Sequence, residues 1–228
     1  MFAALATNLA RVREDIERAQ AAHGLRGDVQ IVAVTKGQPV QAVRAAYAAG
    51  LLDIGENRVQ EALDKQGSIA DLPVTWHLIG HLQTNKAKHV PGRFGWVHSV
   101  DSWKVAQALA RATPAATPPL AVLVQVNVAG EAQKSGCHPA EAGDLAAAVA
   151  GLPELRLKGL MTMAPYTDDE AVQRRVFGEL RRLRDRLRSP ELPLTDLSMG
   201  MSGDYRAAVA EGATILRLGT ALFGERPA

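Results

Sequence analysis

The sequence has one cysteine, Cys137, so an intrachain disulfide is impossible and a thiolate metal cluster is excluded. No apolar run approaches the ~18 residues that cross a bilayer. The amino terminus carries Arg11, Glu14, Asp15 and Glu17 in its opening turns, unlike a signal peptide. A net charge of +2 is too small to suggest a broad nucleic-acid surface. These absences leave a protein expected to be soluble and cytoplasmic, with neither membrane nor nucleic acid as a partner. At 228 residues, 47% of them hydrophobic, it is long enough to bury a sizeable core, and a single domain over 1–228 is expected.

What is present is a repeated unit. Phe2, Leu5, Leu9, Val12, Ile16 and Ala19 recur at spacings of three and four, which predicts an amphipathic helix ended by Gly24 and Gly27. The apolar run Gln30 to Val34, closed by Thr35, Lys36 and Gly37, predicts a buried strand, and a helix from Pro39 toward Gly50 follows. Strands are predicted again over 51–55, 74–80, 95–100, 120–128, 155–163, 194–199 and 213–218. Helical segments lie between them near 58–65 and 84–89, through Val105, Ala108 and Leu109, and near 140–152, 168–188 and 202–209. Asp101 or Ser102 is placed to cap the fourth of these units, and Ser202 the helix through Tyr205. The proline-rich stretch 113–119 is short and is followed at once by the strongest strand, so it reads as a surface loop.

Regular alternation implies parallel strands, and eight strand-helix units in a little over two hundred residues is the arithmetic of a (β/α)8 TIM barrel with an extra N-terminal helix. A doubly wound open sheet is the alternative. No Gly-x-Gly-x-x-Gly opens the first strand-helix turn, and the polar strand ends are spread over many strands, both of which favour the barrel.

In a barrel, chemistry gathers at the carboxyl ends of the strands. Lys36 stands at the end of the first. A lysine there either snorkels or, when partly buried, offers a free amine able to form a Schiff base. After the seventh strand comes Ser198-Met199-Gly200-Met201-Ser202-Gly203, and after the eighth Arg217-Leu218-Gly219-Thr220. Each supplies a hydroxyl, glycines and a turn into helix, the parts of a phosphate site, although Ser202 alone is equally an N-cap and Gly219 a turn. An amine facing a phosphate site suits an aldehyde that carries a phosphate. His77 and His81 straddle a strand end and a glycine turn and share no helical face, so no metal site is expected. The arginines from Arg174 to Arg188 interleave with an apolar stripe and read as a solvated helix face.

Val34-Thr35-Lys36, Gly55-Glu56-Asn57-Arg58, Trp76-His77-Leu78-Ile79-Gly80, Leu82-Gln83-Thr84-Asn85-Lys86, Lys134-Ser135-Gly136, Gly159 to Met163, Ser198 to Ser202 and Arg217-Leu218-Gly219 occur in order along the chain. Together they resemble the YggS/PROSC family of pyridoxal phosphate homeostasis proteins. The resemblance implies a barrel like the N-terminal domain of alanine racemase (PLP fold type III), holding pyridoxal 5'-phosphate (PLP) as an internal aldimine on Lys36. It further implies phosphate contacts from Ser202, Gly219 and Thr220, and cofactor-facing Asn57 and His77. His81 stands where the family often has proline.

Arg217, facing the pyridine nitrogen, would keep that nitrogen unprotonated, because a guanidinium does not give up its proton. A neutral ring is a poor electron sink. The alternative for Arg217 is an exposed strand-end cation paired with Asp204 or Glu225. The implied function is capture and release of PLP, with PLP-dependent apo-enzymes as acceptors and a monomer or weak dimer as the assembly. A slow PLP-dependent racemase or a Schiff-base aldolase is the competing class. Two-base racemisation is not expected, since the second base of the racemases comes from a further β-domain and the sequence ends shortly after its eighth strand.

Overall fold

The strand Leu120–Gln125 (β5) is buried at every position. Such a strand needs cover on both faces, which an all-parallel sheet under helices supplies. The computed structural model describes residues 2–131 and 133–225. In it β5 joins β1 (Gln30–Val34), β2 (Asp53–Glu56), β3 (Thr75–Leu78), β4 (Trp96–Val100), β6 (Leu155–Met161), β7 (Asp196–Ser198) and β8 (Ile215–Leu218). The eight strands form one closed parallel barrel in sequential order. Closure is made by β1 against β8, with Gln30 opposite Ile215 and Ala33 opposite Leu218.

The surrounding helices are α1 (Leu5–Ala22), α2 (Gln41–Ala48), α3 (Val59–Ser68), α4 (Trp103–Ala112), α5 (Ala142–Ala150), α6 (Glu170–Leu187), α7 (Tyr205–Ala210) and α8 (Thr220–Phe223). In α6 the buried Val176, Phe177, Leu180 and Leu183 face the sheet at helical spacing, each worth roughly 1.5–3 kcal/mol of burial. Asp169 caps that helix by accepting from the Ala171 and Val172 amides. The extra helix α1 lies against α7 and α8. Asn8 Nδ2 donates to the Leu222 carbonyl at 3.0 Å, and buried Asp15 accepts from Tyr205 Oη at 2.6 Å and Arg206 Nη2 at 2.7 Å.

Four local expectations change. The segment Thr84–His89 is a 3-10 helix, and the seventh strand pairs only over Asp196–Ser198 rather than 194–199. Ser102 occupies an N-cap position without capping, because its hydroxyl donates to Asp101. Ser202 likewise does not cap α7, and its actual partners belong to the site described next.

The lumen is not uniformly apolar. Val32, Leu123, Met161 and Ile215 form a small apolar cluster of their own, with Trp96 and Met163 against it. Beside that plug the lumen holds ionisable and hydroxyl side chains, all buried: His77, His98, Ser198 and Arg217.

Candidate functional site

Above the plug a cavity of about 650 Å³ opens among the carboxyl ends of the strands, within the ~300–1,000 Å³ usual for small-molecule sites. Lys36, Asn57, His81, Ser202, Arg217, Gly219 and Thr220 all line it. A second cavity, of about 690 Å³, lies among Phe94, Trp76 and Trp96 and contains none of these groups.

Lys36 is delivered by β1 and then held through its neighbours. Lys65 Nζ donates to the Thr35 carbonyl at 2.7 Å, and the Gly37 amide donates to Glu61 Oε1 at 2.6 Å. Gly37 has φ of +66°, a conformation only glycine adopts without strain, and it turns the chain immediately after the lysine. Behind the loop, Lys65 also donates to Glu56 Oε1 at 2.6 Å and Glu61 Oε1 at 3.0 Å, while Thr35 Oγ1 donates to Glu56 at 2.5 Å. Burial raises the Glu56 carboxyl above its ordinary range, and hydrogen bonds from Lys65 and Thr35 pull it only part of the way back. Its Oε2 is buried with no hydrogen-bond partner.

Asn57 follows β2 into the cavity wall. The backbone of Gly80 passes so close that a Cβ there would lie 2.3 Å from the Asn57 carbonyl oxygen, which accounts for glycine at that position. His81 stands exposed at the rim, 3.2 Å from Asp101.

On the opposite side, Ser202 Oγ accepts from the Gly219 amide at 3.1 Å and the Ala221 amide at 3.0 Å. The serine therefore satisfies the start of α8 and joins the loops after β7 and β8. With its oxygen accepting twice, its own hydrogen is directed elsewhere, and the adjoining cavity is where an anionic oxygen would receive it.

Arg217 lies at the floor, 3% exposed, so it is not a strand-end cation in solvent. Its Nη1 donates to Ser198 Oγ at 2.7 Å and its Nη2 to the Thr162 carbonyl at 2.9 Å. Burial lowers it to about 10, opposed by the nearby Asp204 carboxylate, and it remains a cation at neutral pH. Two of its five N–H donors are used in these bonds, and the rest are available to an acceptor above.

His77 is the one expected site residue that the structure does not bring to the cavity. Its ring is fully buried inside the barrel. Inward positions alternate along a strand, and Ile79, the next inward position, just past the end of β3, is the one that lines the cavity. His77 instead stacks on Trp96 with an interplanar angle of 7° and hydrogen-bonds to Asp53 and His98.

Several contributors were not singled out from sequence. Glu61 and Lys65 are spaced i, i+4 on α3, a legible pair, but nothing local says that they grip the Lys36 loop. Asp53 and His98 sit at inward positions of their strands, where a polar residue is itself a signal.

An amine, a buried arginine with spare donors and a donor hydroxyl at a glycine turn therefore surround one cavity. This donor set fits a small molecule with an aldehyde, an anionic arm and an acceptor ring atom. Among the described residues there is no group of His, Cys, Asp and Glu able to hold a metal ion, and no helix is long and apolar enough to cross a membrane.

The family model described as alanine racemase, N-terminal domain, matches residues 7–227. A protein of Pseudomonas aeruginosa named pyridoxal phosphate homeostasis protein is 52% identical over 223 residues, covering 97% of this chain and 96% of that one. PipY of Synechococcus elongatus PCC7942, solved with PLP bound, is 41% identical and superposes with a TM-score of 0.85 over 96% of this chain and 100% of its own. An alanine racemase of Clostridium difficile 630 is 16% identical and shares the fold, with a TM-score of 0.77 over 97% of this chain and 60% of that one.

Proposed function

The chain belongs to the YggS/PROSC family of pyridoxal phosphate homeostasis proteins, and on that premise we propose that it holds pyridoxal 5'-phosphate covalently but reversibly on Lys36 and releases it to PLP-dependent apo-enzymes. The observation that carries the reading is the convergence of Lys36, Arg217 and the Ser202–Gly219–Thr220 corner on one cavity. When bound, PLP supplies an aldehyde that condenses with an amine, losing water, and passes to a second amine by exchange.

Each residue then has a defined task. Lys36 Nζ is the covalent tether. Ser202 donates its hydroxyl hydrogen to the phosphate, and the turn at Gly219 and Thr220 encloses it. Asn57 walls the ring on the side of β2. Arg217 donates an N–H to the ring nitrogen and, still protonated, leaves that nitrogen uncharged. An uncharged ring withdraws few electrons, so the residues favour holding the cofactor over turning over amino acids. Release requires only exchange at one bond, because the remaining contacts are hydrogen bonds.

The test is a visible spectrum. Protein incubated with PLP and desalted is expected to be yellow, with the band lost in Lys36→Ala. A colourless protein that gains no band with added PLP would refute the reading.

A further inference from the structure

Five buried or half-buried polar side chains form one continuous chain through the lumen, from the amino end of β2 to the cavity floor. Asp53 Oδ1 lies 2.9 Å from His77 Nε2, and His77 Nδ1 lies 2.9 Å from His98 Nε2. His98 Nδ1 lies 2.8 Å from Ser198 Oγ, which accepts from Arg217 Nη1. A barrel lumen is ordinarily filled with branched apolar residues. A row of polar groups there carries a cost that only complete hydrogen bonding offsets.

The two ends dictate every hydrogen in between. Arg217 only donates, so Ser198 Oγ is an acceptor at that side and its own hydrogen goes to His98 Nδ1. His98 is fully buried, and desolvation, reinforced by His77 and Arg217, holds it neutral. Its single proton is therefore on Nε2 and is donated to His77 Nδ1. His77 then carries its proton on Nε2 and donates it to Asp53. Burial opposes ionisation of Asp53, but hydrogen bonds from His77 and Gln30 outweigh it and keep the carboxylate as an acceptor. Both histidines are thus assigned as the Nε2–H tautomer, with all donors pointing from Arg217 toward Asp53.

We infer that Asp53, His77 and His98 are positioning residues for Arg217: the directed chain they form fixes which hydrogens of Ser198 and the guanidinium are spent below, and hence which remain for the cavity. Removing the acceptor at the amino end frees both rings to change tautomer. Ser198 then loses its defined acceptor, and Arg217 loses its defined rotamer. The effect on the cofactor ring rests on the function proposed above, whereas the effect on Arg217 does not.

The experiment uses 15N-labelled full-length protein, first without added PLP. His98 is expected as a neutral Nε2–H tautomer across the neutral range, with the His77 Nε2–H facing Asp53, together with a slowly exchanging guanidinium signal that is absent in Arg217→Lys. Asp53→Leu is expected to mix the tautomers and move that signal. Asp53→Asn, whose amide oxygen still accepts, is expected to restore both. With PLP added, Asp53→Leu is expected to shift the bound-cofactor band and weaken retention about tenfold, in the range of typical site-to-site coupling.

The inference is overturned if His98 carries its proton on Nδ1, or if a folded Asp53→Leu leaves the guanidinium signal and the band unmoved. Should Asp53→Leu fail to fold, the wild-type tautomers and Asp53→Asn still decide. Expected tautomers in a protein that takes up no PLP would overturn the proposed function and leave the positioning chain standing.

Discussion

Replacing Lys65 with methionine preserves the bulk of a buried side chain and removes its charge. In the native protein Lys65 is the cation between Glu56, 0% exposed, and Glu61, and it also holds the Thr35 carbonyl. Deleting one partner of a buried ion pair costs about 3–5 kcal/mol, because the other charge stays buried and unpaired. Glu56 limits the damage by taking up a proton, so a loss of about 3 kcal/mol is expected near neutral pH.

The sign of the pH dependence follows from burial raising the Glu56 carboxyl above its ordinary 4.5, a rise that Lys65 partly opposes. A raised carboxyl contributes stability below its unfolded value, and this is lost as pH rises through its folded value. Without Lys65 the folded value rises further. Lys65→Met should therefore approach wild-type stability in acid and fall away as pH increases. Adding Glu56→Gln should recover part of the loss. Urea denaturation of the two single variants and the double variant at several pH values measures all of this, and the band proposed for PLP bound to Lys36 reports the site. A stable single variant with no pH-dependent gap, or no recovery in the double variant, would refute the account. So would an unchanged rate of band formation, since both peptide groups flanking Lys36 lose their anchors' support.

Ser202→Ala removes the hydroxyl that joins the loops after β7 and β8, and PLP retention measured by dialysis should fall about tenfold, the worth of one charge-assisted hydrogen bond; equal retention would move the phosphate elsewhere. Arg217→Glu should let the cofactor nitrogen take a proton and raise transamination with added amino acids, while unchanged spectra and reactivity would place Arg217 away from that nitrogen. Asp15→Ala strands the Tyr205 hydroxyl and should cost about 2 kcal/mol in chemical denaturation. Burial opposes ionisation of Asp15, but hydrogen bonds from Tyr205 and Arg206 hold it below its ordinary 3.8, so its contribution is present above that value and is lost as pH falls. The gap between Asp15→Ala and wild type should therefore close in acid.

Most of the frame was legible from spacing. The apolar stripe of α6, the buried run of β5 and the alternation of the two elements are local patterns, because each residue's burial depends on neighbours a few positions away. Lys36 was legible for the same reason, as a polar residue ending an apolar strand. The misreadings are equally physical. Ser202 has the composition of a cap for α7, yet it serves α8, because the loop after β8 presents its amides to the same hydroxyl. His77 lies in a motif shared with the site, but strand geometry sets it one inward position below the cavity.

The sequence by itself determined eight strand-helix units, an amine at the first strand end and glycine-bearing turns with hydroxyls at the last two, since helical and strand periodicity are written in consecutive residues. Only the tertiary structure decided how the lumen is filled. Asp53, His77, His98, Ser198 and Arg217 come from five strands, and His98 meets Ser198 across 100 positions of chain. Their order along a hydrogen-bonded path depends on the stagger with which the barrel closes. That stagger is a property of all eight pairings at once, and no single stretch of sequence carries it.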